Sequence, residues 1–96
     1  MKFIFLFIFF LGSCGLATVR PKLEMSLAQA AYQAAKAANA QEKSPDLFRK
    51  SEILFLQAKS AYKRKFFNKA KEYAQASQKM AELAEFNAKR TSLQGE

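Results

Sequence analysis

Between Phe67 and Ala88 the chain places Phe67, Ala70, Ala74, Ser77, Ala81, Ala84 and Ala88 at successive intervals of 3, 4, 3, 4, 3 and 4 residues. That spacing is a heptad seam along one side of a helix. Filling it with small side chains has two consequences. Helix axes can come closer than across a leucine seam, but each buried alanine withdraws little apolar area from water, so at roughly 25 cal/mol per Å² the contact stabilises modestly. Larger neighbours are then expected to supply most of the stability, namely Phe48, Leu54, Phe55, Leu56, Tyr62, Phe66, Phe67, Tyr73, Met80 and Leu83.

The seam belongs to the last of three predicted helices. The first, over residues 23–42, is rich in alanine from Ala28 to Ala40. Ser44-Pro45-Asp46 then offers a capping serine, a proline at the first helical position and an acid that complements the helix dipole. The second helix, residues 45–64, repeats Leu47, Leu54 and Ala61 seven apart, with Phe48, Phe55 and Tyr62 one residue on, which makes one broad apolar face. A change of phase near Lys65 and Phe66 separates it from the third, residues 67–93, although neither Gly nor Pro marks the break. The expected fold class is all-α, an antiparallel three-helix hairpin or bundle over residues 23–94, marginal on its own.

Composition narrows what such a chain can do. Ninety-six residues allow one domain and no large enclosed active site. With no histidine and one cysteine, neither a disulfide framework, a usual zinc site nor a histidine relay can be built, so no metal and no cofactor are expected. The formal charge of +8 favours anionic partners.

The N-terminus reads as an address. Met1-Lys2 precedes nine unbroken apolar residues, Phe3 to Leu11, followed by Gly12, Ser13 and Cys14. This is a short basic start, a hydrophobic stretch of secretory length and a small-residue cleavage site. A membrane-crossing helix needs about 20 apolar residues, so an uncleaved anchor is the lesser alternative. Leu11-Gly12-Ser13-Cys14 resembles the lipobox of bacterial lipoproteins. The resemblance implies cleavage between Ser13 and Cys14, a diacylglyceryl thioether on Cys14 and further acyl chains on its amine. Residues 1–13 are then a signal peptide and residues 14–22 a lipidated tether. An ordinary cleaved signal with Cys14 as a passenger is the competing reading. Gly15, rather than Asp, after the acylated position is compatible with an outer-membrane destination facing the periplasm.

Ala58-x-x-Ala61 followed by Phe67-x-x-Ala70-x-x-x-Ala74-x-x-Ser77 resembles the helix-turn-helix of tetratricopeptide repeats, without the usual Gly before Phe67, a closing Pro or a second copy. The region from Ala28 to Ala84 is more similar to an uncharacterised family of short alanine-rich bacterial envelope domains, usually lipoproteins. That resemblance implies fold and location and transfers no functional residue.

Lys59, Lys63, Arg64, Lys65, Lys69 and Lys71 fall within 13 residues uninterrupted by any acid. They read either as a solvated turn or as an anion-binding patch. In an antiparallel arrangement the Arg64–Phe66 turn returns to the tethered end, beside Arg20 and Lys22, where each basic residue adds about 1 kcal/mol on an anionic surface. No catalytic constellation emerges. Glu82 and Glu85 share a helix face, Ser77 has no nearby base, and no Gly-rich phosphate loop occurs. The seam Ala70, Ala74, Ser77, Ala81 and Ala84 is a helix-packing surface. Two functions follow: a non-enzymatic, lipid-anchored adaptor that docks another envelope protein or a second copy of itself, or a structural component whose basic turn holds anionic lipid, lipopolysaccharide or peptidoglycan. Neither nucleic acid nor a small-molecule substrate is expected as a partner.

Overall fold

A computed structural model describes residues 20–94, and all its regular structure is helical: α1 Lys22–Ala37, α2 Ala40–Lys43, α3 Pro45–Lys63 and α4 Phe67–Gln94. The predicted signal peptide over 1–13, Cys14 and most of the predicted tether lie outside the described residues. The all-α class stands, but the helix predicted over 23–42 is two helices. Asn39 adopts the left-handed conformation (φ 60°), its N–H bonding Lys36 O, and this ends α1 before α2 begins. Asn tolerates that conformation better than any residue except Gly, because its short polar side chain bonds locally. α3 starts at Pro45, whose missing N–H costs nothing at the first helical position.

α4 is the central element. Its backbone approaches both α1 and α3 closely, whereas α1 and α3 approach each other far less. Ala28, Phe55, Ala58 and Ala74 cluster near one end, and Ala31, Ala35, Ala40, Phe48, Ala81, Ala84 and Ala88 near the other. This register means that α1 runs alongside α4 in the same direction while α3 runs opposite to both. Ala70, Ala74, Ser77, Ala81, Ala84 and Ala88 are all fully buried, so the small seam of α4 lies in the cleft between its neighbours.

The space between α1 and α3 is filled by aromatic rings. Tyr32 of α1 stacks on Phe48 (centroids 5.1 Å apart) and on Phe55 (6.2 Å) of α3. Its hydroxyl donates to Glu52 Oε2 at 2.9 Å. Burial, and then the hydrogen bond to the Glu52 carboxylate and its negative charge, raise the Tyr32 phenol above its ordinary 10.0.

The expectation that ten large residues carry the core needs correcting. Of those, only Phe48 and Phe55 are buried, whereas Leu56 and Phe66 are 57% exposed and Leu83 is 42% exposed. Among the described residues the buried apolar set is otherwise eleven alanines and Pro21. The reason is steric. At the closest approach of three helices there is room for a methyl group and none for a longer side chain, so larger groups stand at the flanks.

Two buried polar residues interrupt this set. Ser77 Oγ donates to Ser51 O at 2.8 Å, and Ser51 Oγ donates to Ser77 O at 3.1 Å. Both residues are 0% exposed, and among the described residues no buried side-chain polar atom lacks a partner. An alanine seam repeats itself every heptad and so discriminates poorly between registers. The serine pair breaks that degeneracy, as a buried polar residue does in a coiled coil.

Replacing Ser51 or Ser77 alone by Ala should cost about 1 kcal/mol in urea unfolding, the net worth of one buried hydrogen bond. The double alanine variant should keep its helicity and show multiple or broadened amide signals by NMR. A double variant with one sharp native spectrum would refute the register role. Tyr32 yields a second test. Because its folded pKa lies above the unfolded one, its contribution is complete below about pH 10 and is lost as pH rises towards the folded value. The stability difference between the native chain and Tyr32→Phe should therefore shrink from pH 7 to pH 11. A constant difference would show that the phenol titrates alike in the folded and unfolded chains and would refute the raised value.

Candidate functional site at the basic end

The α3–α4 turn is built without glycine or proline. Phe66 N–H bonds Ala61 O at 2.9 Å and Lys65 N–H bonds Tyr62 O at 3.0 Å. This double bond pattern, with Lys65 left-handed at φ 66°, is a Schellman motif that satisfies the last carbonyls of α3. The chain then reverses within three residues into α4, so the break is sharp. Lysine pays about 1–2 kcal/mol for a conformation that glycine adopts freely.

This turn shares an end of the domain with the start of α1. Ala28, Ala58 and Ala74 meet in one cluster, and Pro21, Arg64 and Phe67 each lie six or seven residues beyond it in the same direction. At about 1.5 Å per residue, all three stand roughly 10 Å past that cluster. Pro21 is itself buried there. Arg20, Lys22, Lys59, Lys63, Arg64, Lys65, Lys69 and Lys71 therefore gather at one end with only Glu24 and Glu72 as acids. The remaining seven basic residues of the described chain are mixed with five acids, so positive charge is concentrated at the end where the chain enters α1.

The six clustered residues do not form one constellation. Arg64 and Lys69 line an open groove of about 280 Å³ together with Ser60, Phe66 and Tyr73. Lys69 also sits 3.8 Å from Glu72, an exposed pair that contributes little. Lys59 points elsewhere, its ammonium 4.8 Å from the centroid of the Phe55 ring. Lys63, Lys65 and Lys71 are exposed around the turn. The groove has the chemistry of a phosphate or carboxylate contact, with a guanidinium, an ammonium, two hydroxyls and one apolar wall.

The seam residues Ala70, Ala74, Ser77, Ala81 and Ala84 are buried within the domain, so they hold its helices together and leave no free alanine stripe on α4 for a second copy. Ser51, which carries no catalytic or binding motif, is the partner of Ser77. Its signal was present, because Phe48, Ser51, Phe55 and Ala58 follow the same 3, 4, 3 spacing, but the heptad rows of larger residues obscured it. Glu82 stands next to Gln78, its Oε2 3.2 Å from the amide nitrogen, and Glu85 pairs with Lys89 at 3.0 Å. Each carboxylate thus has a partner on its own helix. Among the described residues no group of three or more acidic or cysteine side chains comes together, and no helix is long and apolar enough to cross a membrane.

A family profile described as a domain of unknown function, DUF4398, matches residues 23–96. No curated protein matches the chain, and no solved structure does.

If the turn is held by its backbone bonds rather than by lysine itself, Lys65→Gly should raise the unfolding free energy by about 1 kcal/mol, through relief of the left-handed strain. Denaturant unfolding measures it. A destabilised Lys65→Gly chain would mean that the lysine side chain holds the turn.

Proposed function

This chain belongs to the DUF4398 family, and from that premise we propose that it is a non-enzymatic, lipid-anchored lipoprotein of a bacterial envelope whose helical domain rests by its basic end on an anionic surface. The observation that carries this reading is the coincidence of Pro21 with the α3–α4 turn at one end of the domain. Acylation of Cys14, implied by Leu11-Gly12-Ser13, would hold the chain with two or three acyl chains, enough for stable attachment where one is not. The eight residues from Gly15 to Lys22 reach at most about 28 Å, so the start of α1 would stay near the bilayer.

The basic end then meets the headgroups at short range. Each Lys or Arg contributes about 1 kcal/mol near an anionic surface, falling off over a Debye length of about 8–10 Å. A tetratricopeptide-like antiparallel scaffold of three long helices would serve to hold this end towards the surface and the α2 end away from it. The outer membrane facing the periplasm is the location that the lipobox and Gly15 favour.

A second reading, docking of another envelope protein or a second copy, is favoured by one observation. Ile53, Leu56, Leu83 and Phe86 are between 42% and 62% exposed on the outer sides of α3 and α4.

A non-acylated chain of residues 15–96 should cosediment with anionic vesicles in a salt-sensitive manner. Replacing Lys63, Arg64, Lys65 and Lys69 by Glu should weaken that binding by more than about tenfold, given about 1 kcal/mol per basic residue. Equal cosedimentation of the two chains would refute the surface reading. Mass that rises with concentration in the absence of lipid would select the docking reading instead.

A further inference from the structure

The basic turn carries one residue that electrostatics does not explain. Phe66 is 57% exposed, although it follows Arg64 and Lys65 and precedes Lys69. Its aromatic neighbours are otherwise engaged: Tyr62 and Phe67 meet edge to face at 5.6 Å and 70°. Its backbone is held on both sides, its N–H bonding Ala61 O and its carbonyl accepting from Ala70 N–H, each at 2.9 Å. The left-handed Lys65 thus fixes Phe66 at the tip of the turn with its ring outside the core.

The geometry points to Phe66 as an interfacial anchor, a ring that enters the acyl boundary of an anionic phospholipid bilayer while Arg64 and Lys69 take the lipid phosphate in the groove beneath it. Three observations select a bilayer over other occupants. Basic residues around an exposed apolar tip match the layered chemistry of a lipid interface, with anionic headgroups outside and hydrocarbon within. The groove that Phe66 walls is lined on its polar side by Gln57, Ser60, Arg64, Lys69 and Tyr73, with no acid among its lining residues. The chain joins the domain at this same end, where an acylated Cys14 six residues before Arg20 would hold the turn near a bilayer. The inference rests on the reading that the basic end faces a membrane, and goes beyond charge by naming the group that penetrates.

The chain has no tryptophan, so one introduced residue reports alone. The full chain carrying Phe66→Trp is reconstituted in phosphatidylglycerol vesicles with brominated acyl chains and compared with Phe86→Trp, a 62% exposed position at the α2 end. The Phe66→Trp emission should shift to the blue, be quenched by the brominated chains and be shielded from acrylamide, while Phe86→Trp shows none of these. The quenching should be lost in phosphatidylcholine vesicles and on replacing Lys63, Arg64, Lys65 and Lys69 by Gln. Phe66→Trp fluorescence as open to acrylamide as that of Phe86→Trp, while the non-acylated chain of residues 15–96 still binds anionic vesicles in a salt-sensitive manner, overturns the insertion and leaves the charge reading standing. Quenching indifferent to lipid charge and to the Gln replacements instead overturns the phosphate contact and, with it, the electrostatic reading. Shielding that grows with protein concentration without lipid overturns the bilayer as occupant in favour of a second copy.

Discussion

Everything in this domain depends on how closely α4 can approach α1 and α3 at once. A helix that touches two neighbours along its whole length must present a face with almost no side-chain volume, and α4 does so with five alanines and Ser77. The same closeness limits what the neighbours can offer. α1 contributes Ala28, Ala31 and Ala35, and α3 contributes Ser51, Ala58 and Ala61 along with its two phenylalanines. Rings can be buried only where α1 and α3 stand apart, and Tyr32, Phe48 and Phe55 occupy that gap.

Close packing with small residues trades driving force for geometry. Alanine methyls bury little area, so dispersion at short range and backbone hydrogen bonding carry a larger share than in a leucine core. Register becomes the weak point, because one alanine face fits another at several offsets. The reciprocal bonds between Ser51 and Ser77 are the device that distinguishes one offset from the rest. The displaced large residues also become surface features. Leu56, Leu83, Phe86 and Phe66 are exposed because the centre has no room for them, and Phe66 then stands among cations at the end where the chain enters α1.

Much of this was legible in the sequence, unevenly so. The 3, 4 spacing from Ala70 to Ala88 marks the inward face of α4, because the helix repeat converts spacing directly into direction. Pro45 marks the start of α3 by a local rule, whereas Ser44 stands at the N-cap without the expected side-chain cap bond, and the left-handed break at Asn39 had a signal in the residue itself. That asparagine stands within a run of alanines whose helical propensity reads as one continuous helix over 23–42. Lys65 gave no such signal, since lysine is a poor candidate for a left-handed position, and only the apolar phase change announced the turn. The list of large core residues failed because periodicity tells which residues share a face and not how near another helix will come.

The sequence by itself determined that the chain is helical, where most of its breaks fall, which stripe of α4 is apolar and small, and that its charge is strongly positive. These are properties of single residues and of the helical repeat, and they need no partner. Tertiary structure decided that α4 occupies the cleft between α1 and α3, that Ser51 meets Ser77, and that Phe48 and Phe55 are buried while Phe66 is exposed. It also decided that Arg64 and Lys69 share a groove that Lys59 does not. Each of those outcomes depends on the distance between helix axes, which is set by all three faces together and is written in none of them alone.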